Sequence, residues 1–168
     1  MKTILSIIIL LVFQSPEIIE LKDFYDGKGV VFDKDYNFPF RNEKYNKPLS
    51  PNLTQIQKAE NIFFRDYYSH RKEGLKKFNS HYKLDKKFSN SKIVKKKYNY
   101  YYRQYASYLS TENDTIIYIG LFNFSKKRQA KKYFQDWNKT LFLGSGEFYL
   151  NNQEFYEINL SKNKIEFN

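Results

Sequence analysis

An α+β domain is expected, in which one long N-terminal amphipathic helix lies across a curled antiparallel sheet of about four to five strands, with a second short helix. Three observations point there. Leu53, Ile56, Ala59, Phe63 and Tyr67 form one apolar stripe at helical spacing behind the start signal Ser50-Pro51. Two aromatic and β-branched runs, 98–109 and 115–124, flank a polar turn at 110–114 and read as a β-hairpin. Strand-like runs follow, punctuated by Gly and Asn turns. The 168 residues suffice for one domain with its own core. Hydrophobic residues at 41% exclude a disordered chain, and a mean hydropathy of -0.74 excludes a multi-span membrane protein.

The chain opens with Met1-Lys2, an apolar run over 4–13 and a polar exit at Gln14-Ser15-Pro16. That order reads as a signal peptide over 1–15, too short to span a bilayer, and predicts export to the periplasm or the medium. The same run also fits a buried strand. The remaining residues, 16–168, form one domain. Within it, 16–49 is turn-rich: Val30-Val31-Phe32 after Asp26-Gly27-Lys28-Gly29 is a short strand, and Tyr36, Phe38 and Phe40 suggest a second, placed at an edge by Pro39. The main helix is expected over 51–70, with Ser50 as its N-cap and Pro51 at the first helical position.

In the first hairpin strand Tyr102, Gln104, Ala106 and Tyr108 share one face, and Tyr101, Arg103, Tyr105 and Ser107 the other. Tyrosines on both leave open which face meets the helix. The second strand is apolar on both faces and should be central. Ser125 then caps a second helix carrying Ala130, Tyr133, Phe134 and Trp137, and residues 140–143, 147–150, 154–160 and 164–167 read as strands.

Charge is concentrated. Of a net charge of +11, residues 71–103 supply +10, from 12 basic and 2 acidic side chains. Lys86, Lys87, Lys95, Lys96 and Lys97 lie there among Phe78, Phe88 and Tyr98, a pattern that attracts polyanions or membrane surfaces and that equally serves to solvate a surface. Lysine outnumbers arginine 24 to 5, so such binding would be non-specific and salt-sensitive.

Few chemistries remain. The absence of cysteine closes disulfide, thiolate and lipidated-cysteine chemistry. No nucleophile elbow, phosphate loop or zinc-protease motif occurs, so no cofactor is expected. His70, His81 and Asp85 stand among lysines that repel cations, and no metal site is expected. Glu60, Asp66, Glu147, Glu154 and Glu157 are the acid-base candidates, lacking sequence partners but open to convergence in space. Tyr101, Arg103, Gln104 and Tyr105 form the candidate ligand-binding group: a buried Arg could anchor an anion, or it could be a structural cation stacked on tyrosine and satisfied by carbonyls.

The run Tyr101-Tyr102-Arg103-Gln104-Tyr105, the strand Ile116-Ile117-Tyr118-Ile119, the Gly144-Ser145-Gly146 segment and the final strand ending at Asn168 resemble a group of small exported bacterial proteins of unknown function. The resemblance covers most of 50–168. It implies export, a single small α+β domain of cystatin-like or nuclear-transport-factor-like appearance, and no activity to carry over. The chain departs from that pattern in having Gly-Ser-Gly where paired glycines are expected.

Three functions follow as expectations. The first is an exported, non-enzymatic module that binds a ligand or an envelope or extracellular protein. The second is a polyanion or membrane-surface binder acting through 71–103. The third is a small hydrolase whose carboxylates meet only in the fold. Export would make specific nucleic acid an improbable partner.

Overall fold

A computed structural model describes residues 16–39, 41–78 and 83–167. The signal-peptide reading of 1–15, together with Phe40 and His81, lies outside the described residues. The strands are β1 (Glu17–Ile19), β2 (Gly29–Val31), β3 (Tyr45–Leu49), β4 (Tyr101–Ser110), β5 (Thr115–Asn123), β6 (Gln153–Asn159) and β7 (Lys164–Ile165). The helices are α1 (Leu53–Lys77), α2 (Ser91–Lys97), α3 (Lys127–Tyr133) and α4 (Glu147–Asn152). The chain is α+β, with a helix packed on a mostly antiparallel sheet.

Among the described residues the sheet has seven strands, six in the order β1-β2-β4-β5-β6-β7 and β3 beside β4, where four to five were expected. The additions come from the N-terminal segment and are explained by the length of β4. Its ten residues offer one side to β5 along nearly their whole length, while the other side is divided. Residues 103–105 pair in parallel with β2, and residues 107–110 pair antiparallel with β3. Three-residue strands and a strand containing Pro48 are too short or too irregular for an alternation pattern to reveal. The expected strand at 36–40 is absent from residues 36–39, and the strand forms further on, at β3.

The sheet is also not curled around a single helix, because both of its faces are covered. On one face α1 and α2 bury Ile56, Phe63, Tyr67 and Val94 against Tyr101, Tyr105, Ile117, Ile119, Tyr156 and Ile158. On the other, α3 and the segment after it lay Ala130, Phe134, Trp137 and Leu141 over Ala106, Tyr108, Ile116, Tyr118 and Phe122. A sheet with two apolar faces needs two covering layers. The β5 strand lies between β4 and β6, as its two apolar faces require.

Local chemistry moves several boundaries. The first helix starts later and runs longer than expected. Asn52 is the N-cap: its side chain accepts from Gln55 N, and Gln55 returns a bond to Asn52 N, a reciprocal capping box. Ser50 instead accepts from Lys34 N across 3.0 Å. Lys126, not Ser125, precedes α3, and Ser125 is held by Asn123. Residues 147–150 are helical rather than extended. Gly146 at φ 100° provides the left-handed turn into α4, and Phe148 and Tyr149 pack in the second layer. Residues 141–143 have no regular structure.

Candidate functional site

The odd-numbered face of β4 is the one that meets α1, and Arg103 on it is fully buried. Its Nε lies 3.4 Å from Glu60 Oε1, its Nη1 donates to the carbonyls of Tyr98 and Tyr101, and its guanidinium stacks 3.8 Å over the Tyr25 ring. The Tyr105 hydroxyl donates to Glu60 Oε1 at 2.8 Å and lies 2.9 Å from the Tyr25 hydroxyl. Burial, reinforced by the Glu60 charge, pushes the Tyr25 and Tyr105 phenols well above their ordinary range, so both stay neutral donors. Glu60 Oε2 and Arg103 Nη2 are buried without a hydrogen-bond partner.

Glu60 projects from the packed side of α1, where an apolar residue would be expected, because it meets this cation. Such a group ties helix, β4 and the turn before β2 together. A ligand could reach it only by opening the helix–sheet interface.

Gln104 points to the opposite face and is also fully buried. Its amide donates to the carbonyls of Trp137 and Thr140 and accepts from Phe142 N at 2.9 Å, so it staples the irregular segment after α3 to the sheet. Tyr101, at 9% exposure, packs in the α1 core, its phenol pushed up to about 12 by burial and by Glu154. The four candidate ligand residues are thus brought to one strand, on two faces, with the polar groups of Arg103, Gln104 and Tyr105 engaged within the fold.

A second polar knot lies toward the end of the same face. The Tyr98 hydroxyl donates to Glu154 (2.8 Å to Oε2), the Tyr156 hydroxyl donates to Oε2 at 2.6 Å, and Lys97 Nζ reaches Tyr67 and Tyr98 at 2.8 Å. Lys97 is therefore structural. Lys95 donates to the Asp23 carbonyl, and Lys87 pairs with Asp85 at 2.7 Å. The side chains of Lys86 and Lys96 make no hydrogen bond or ion pair among the described residues, and both residues are exposed. The basic stretch is thus divided among the end of α1, a 3-10 turn over Lys86–Ser89 and α2. Beside it Arg65, Lys92 and Lys95 border an open cleft of about 560 Å³.

The five acid-base candidates do not gather. Glu60 and Glu154 are engaged as above, Asp66 accepts two bonds from Arg65, Glu147 is exposed on α4, and Glu157 accepts from Tyr108 at 2.9 Å on the other face. Each of the clefts described here holds at most one of them. Among the described residues no group of three His, Asp or Glu side chains is placed to hold a metal ion.

What α1 and the chain end do form is a cleft of about 400 Å³. Arg71, Leu75 and Phe78 line it from α1, Tyr156 from β6, and Phe167 from beyond β7, with His70 stacked on Phe167 at 4.3 Å. Phe78 is 74% exposed. His70 Nδ1 is buried without a partner, and burial, with Arg71 beside it, holds the imidazole below its usual pKa. No hydrogen bond or ion pair reaches the Arg71 guanidinium among the described residues. Burial opposes its charge, and the Tyr156 and Glu154 side favours it. Glu157 and Glu166 line both this cleft and a smaller one of about 230 Å³. Glu166 is held there by Asn159 at 2.8 Å and Lys164 at 3.2 Å.

Sequence reasoning weighed His70 as a metal ligand against an exposed imidazolium at a helix end, and took Arg71 to Phe78 as part of a charge run. The apolar stripe of α1 in fact continues through Gly74, Leu75 and Phe78, seven, eight and eleven residues beyond Tyr67. Helical spacing carried past His70 would have found this wall. No protein-family model, curated protein or solved structure matches the chain.

Proposed function

We propose that the protein is an exported, non-enzymatic binding module that takes its ligand in the cleft between the C-terminal half of α1 and the end of the chain. One observation carries this reading: an aromatic-walled concavity of about 400 Å³ holds the Arg71 guanidinium, which makes no hydrogen bond or ion pair among the described residues. Ligand sites are typically clefts of about 300–1,000 Å³, apolar in lining with a few convergent polar groups. Tyr105 and Tyr108 of β4 serve the fold in this reading, since their hydroxyls are spent on Tyr25, Glu60 and Glu157. The helix laid across antiparallel strands supports a cystatin-like core extended by β1 to β3 and a second layer.

Gly74 provides the test. A Cβ placed there meets only Phe167, at 3.8 Å, so a large side chain enters the cleft without disturbing the helix. Gly74→Phe is expected to abolish binding of the fluorescent apolar probe N-phenyl-1-naphthylamine while leaving the melting temperature equal or higher, because glycine within a helix costs about 0.5–1 kcal/mol relative to alanine. Undiminished binding would place the probe elsewhere and overturn the reading. Export rests on the composition of 1–15 and is tested by the intact mass of the chain from separated cell fractions. A full-length cytoplasmic chain would contradict it.

A further inference from the structure

We infer that the ligand of this cleft is an organic anion with an apolar body, its acidic group seated at Arg71 and its body lying along Leu75, Phe78 and Phe167. The inference rests on the binding-cleft reading above and adds the charge class and orientation of the ligand. The polar groups of the cleft differ in what they have left to offer. Glu166 is already bonded by Asn159 and Lys164, and Glu157 accepts from Tyr108 on the far face of the sheet. Nearby Glu154 receives two tyrosine hydroxyls and Lys97. The acids around the cleft are thus supplied with donors from within the fold.

The cation is not. Arg71 is exposed on the cleft wall with five N–H donors and no hydrogen-bond acceptor among the described residues, beside the buried, unpartnered Nδ1 of His70. Guanidinium in such a setting binds carboxylate, sulfonate or phosphate through paired, charge-assisted bonds. A neutral or cationic polar ligand would forgo that charge-assisted pairing. Position along the cleft follows from charge. An anion is drawn to Arg71 and repelled by Glu157 and Glu166, so the apolar body is left to the aromatic wall, where the Phe78 ring is exposed and has the surface to receive it. Lys77, with Nζ 5.9 Å from the Phe167 ring centroid, adds positive potential on the same rim.

Two dyes of nearly the same shape make the test, because 1-anilinonaphthalene-8-sulfonate carries the anion that N-phenyl-1-naphthylamine lacks. Fluorescence titration of the full chain is expected to show tighter binding of the sulfonate. Arg71→Gln should weaken the sulfonate about tenfold, equivalent to ~1.4 kcal/mol, and leave the neutral dye within about twofold. Arg71→Lys should restore part of the loss, and because Arg71 is exposed both variants should melt with the wild type. If the two dyes bind alike and Arg71→Gln changes neither, the anion assignment is wrong while the cleft still binds. If neither dye binds, or Gly74→Phe blocks neither, the cleft reading itself fails and the assignment with it.

Discussion

Arg103 shows how one residue type admits two roles that only its surroundings separate. Its alternation with Gln104 was legible, as was its need for a buried partner. The identity of that partner was not, because Glu60 is 43 residues away and sits on a helix face that sequence reads as apolar. Breaking a buried pair leaves an unpaired charge and costs about 3–5 kcal/mol, whereas replacing both members with apolar groups can be nearly neutral. Arg103→Met is therefore expected to lower unfolding free energy in urea by about that amount, and adding Glu60→Met should recover much of it. Additive losses would mean that the two side chains are not coupled.

His70 gives the pH dependence. Its folded-state pKa lies below the ordinary 6.5, through burial first and Arg71 second, with Glu73 on the same helix opposing. The unfolded chain then binds the proton more readily, so this contribution to stability is intact above about pH 6.5 and is lost as pH falls below it. Melting temperature should drop between about pH 7.5 and about pH 5.5, and His70→Gln should flatten that drop. An unchanged slope in the variant would remove His70 as its source.

Among the elements, those with a long periodic signal were legible and those defined by distant pairing were not. The α1 stripe and the β4–β5 hairpin follow from spacing alone. The short strands β2 and β3 exist because β4 presents an edge to them, and that edge belongs to residues 58 or more positions later in the chain. α4 was misread because Phe148-Tyr149-Leu150 is a short apolar run that either helix or strand can use, and the left-handed turn at Gly146 decides for helix. The segment after α3 has no regular hydrogen bonding of its own and depends on Gln104. Gln104→Ala would strand two buried carbonyls and one N–H, each costing about 1–3 kcal/mol when unsatisfied. Faster amide exchange at Phe142 than in β5 is the expected signature, and unchanged exchange there would show the segment is held by its aromatic packing instead.

Taken whole, the molecule hides most of its aromatic residues in two layers about one sheet and leaves a few at the end of α1. The sequence displayed the tyrosines of β4 and the lysines of 86–97 most plainly, and both are conspicuous for composition rather than for position. Burial claims the former, and contacts to Asp23, Asp85 and Glu154 occupy part of the latter. The polyanion reading retains Lys86 and Lys96, whose interaction with an anionic polymer would weaken steeply with salt. The cleft, by contrast, is assembled from α1, β6 and the chain end, elements brought together only by the fold. Backbone amide shifts of the full chain, followed by NMR during titration with 1-anilinonaphthalene-8-sulfonate, separate the three surfaces in one measurement. Changes confined to residues 70–78, 155–157 and 166–167 are predicted, and changes centred on 101–105 or on 86–97 would contradict the assignment.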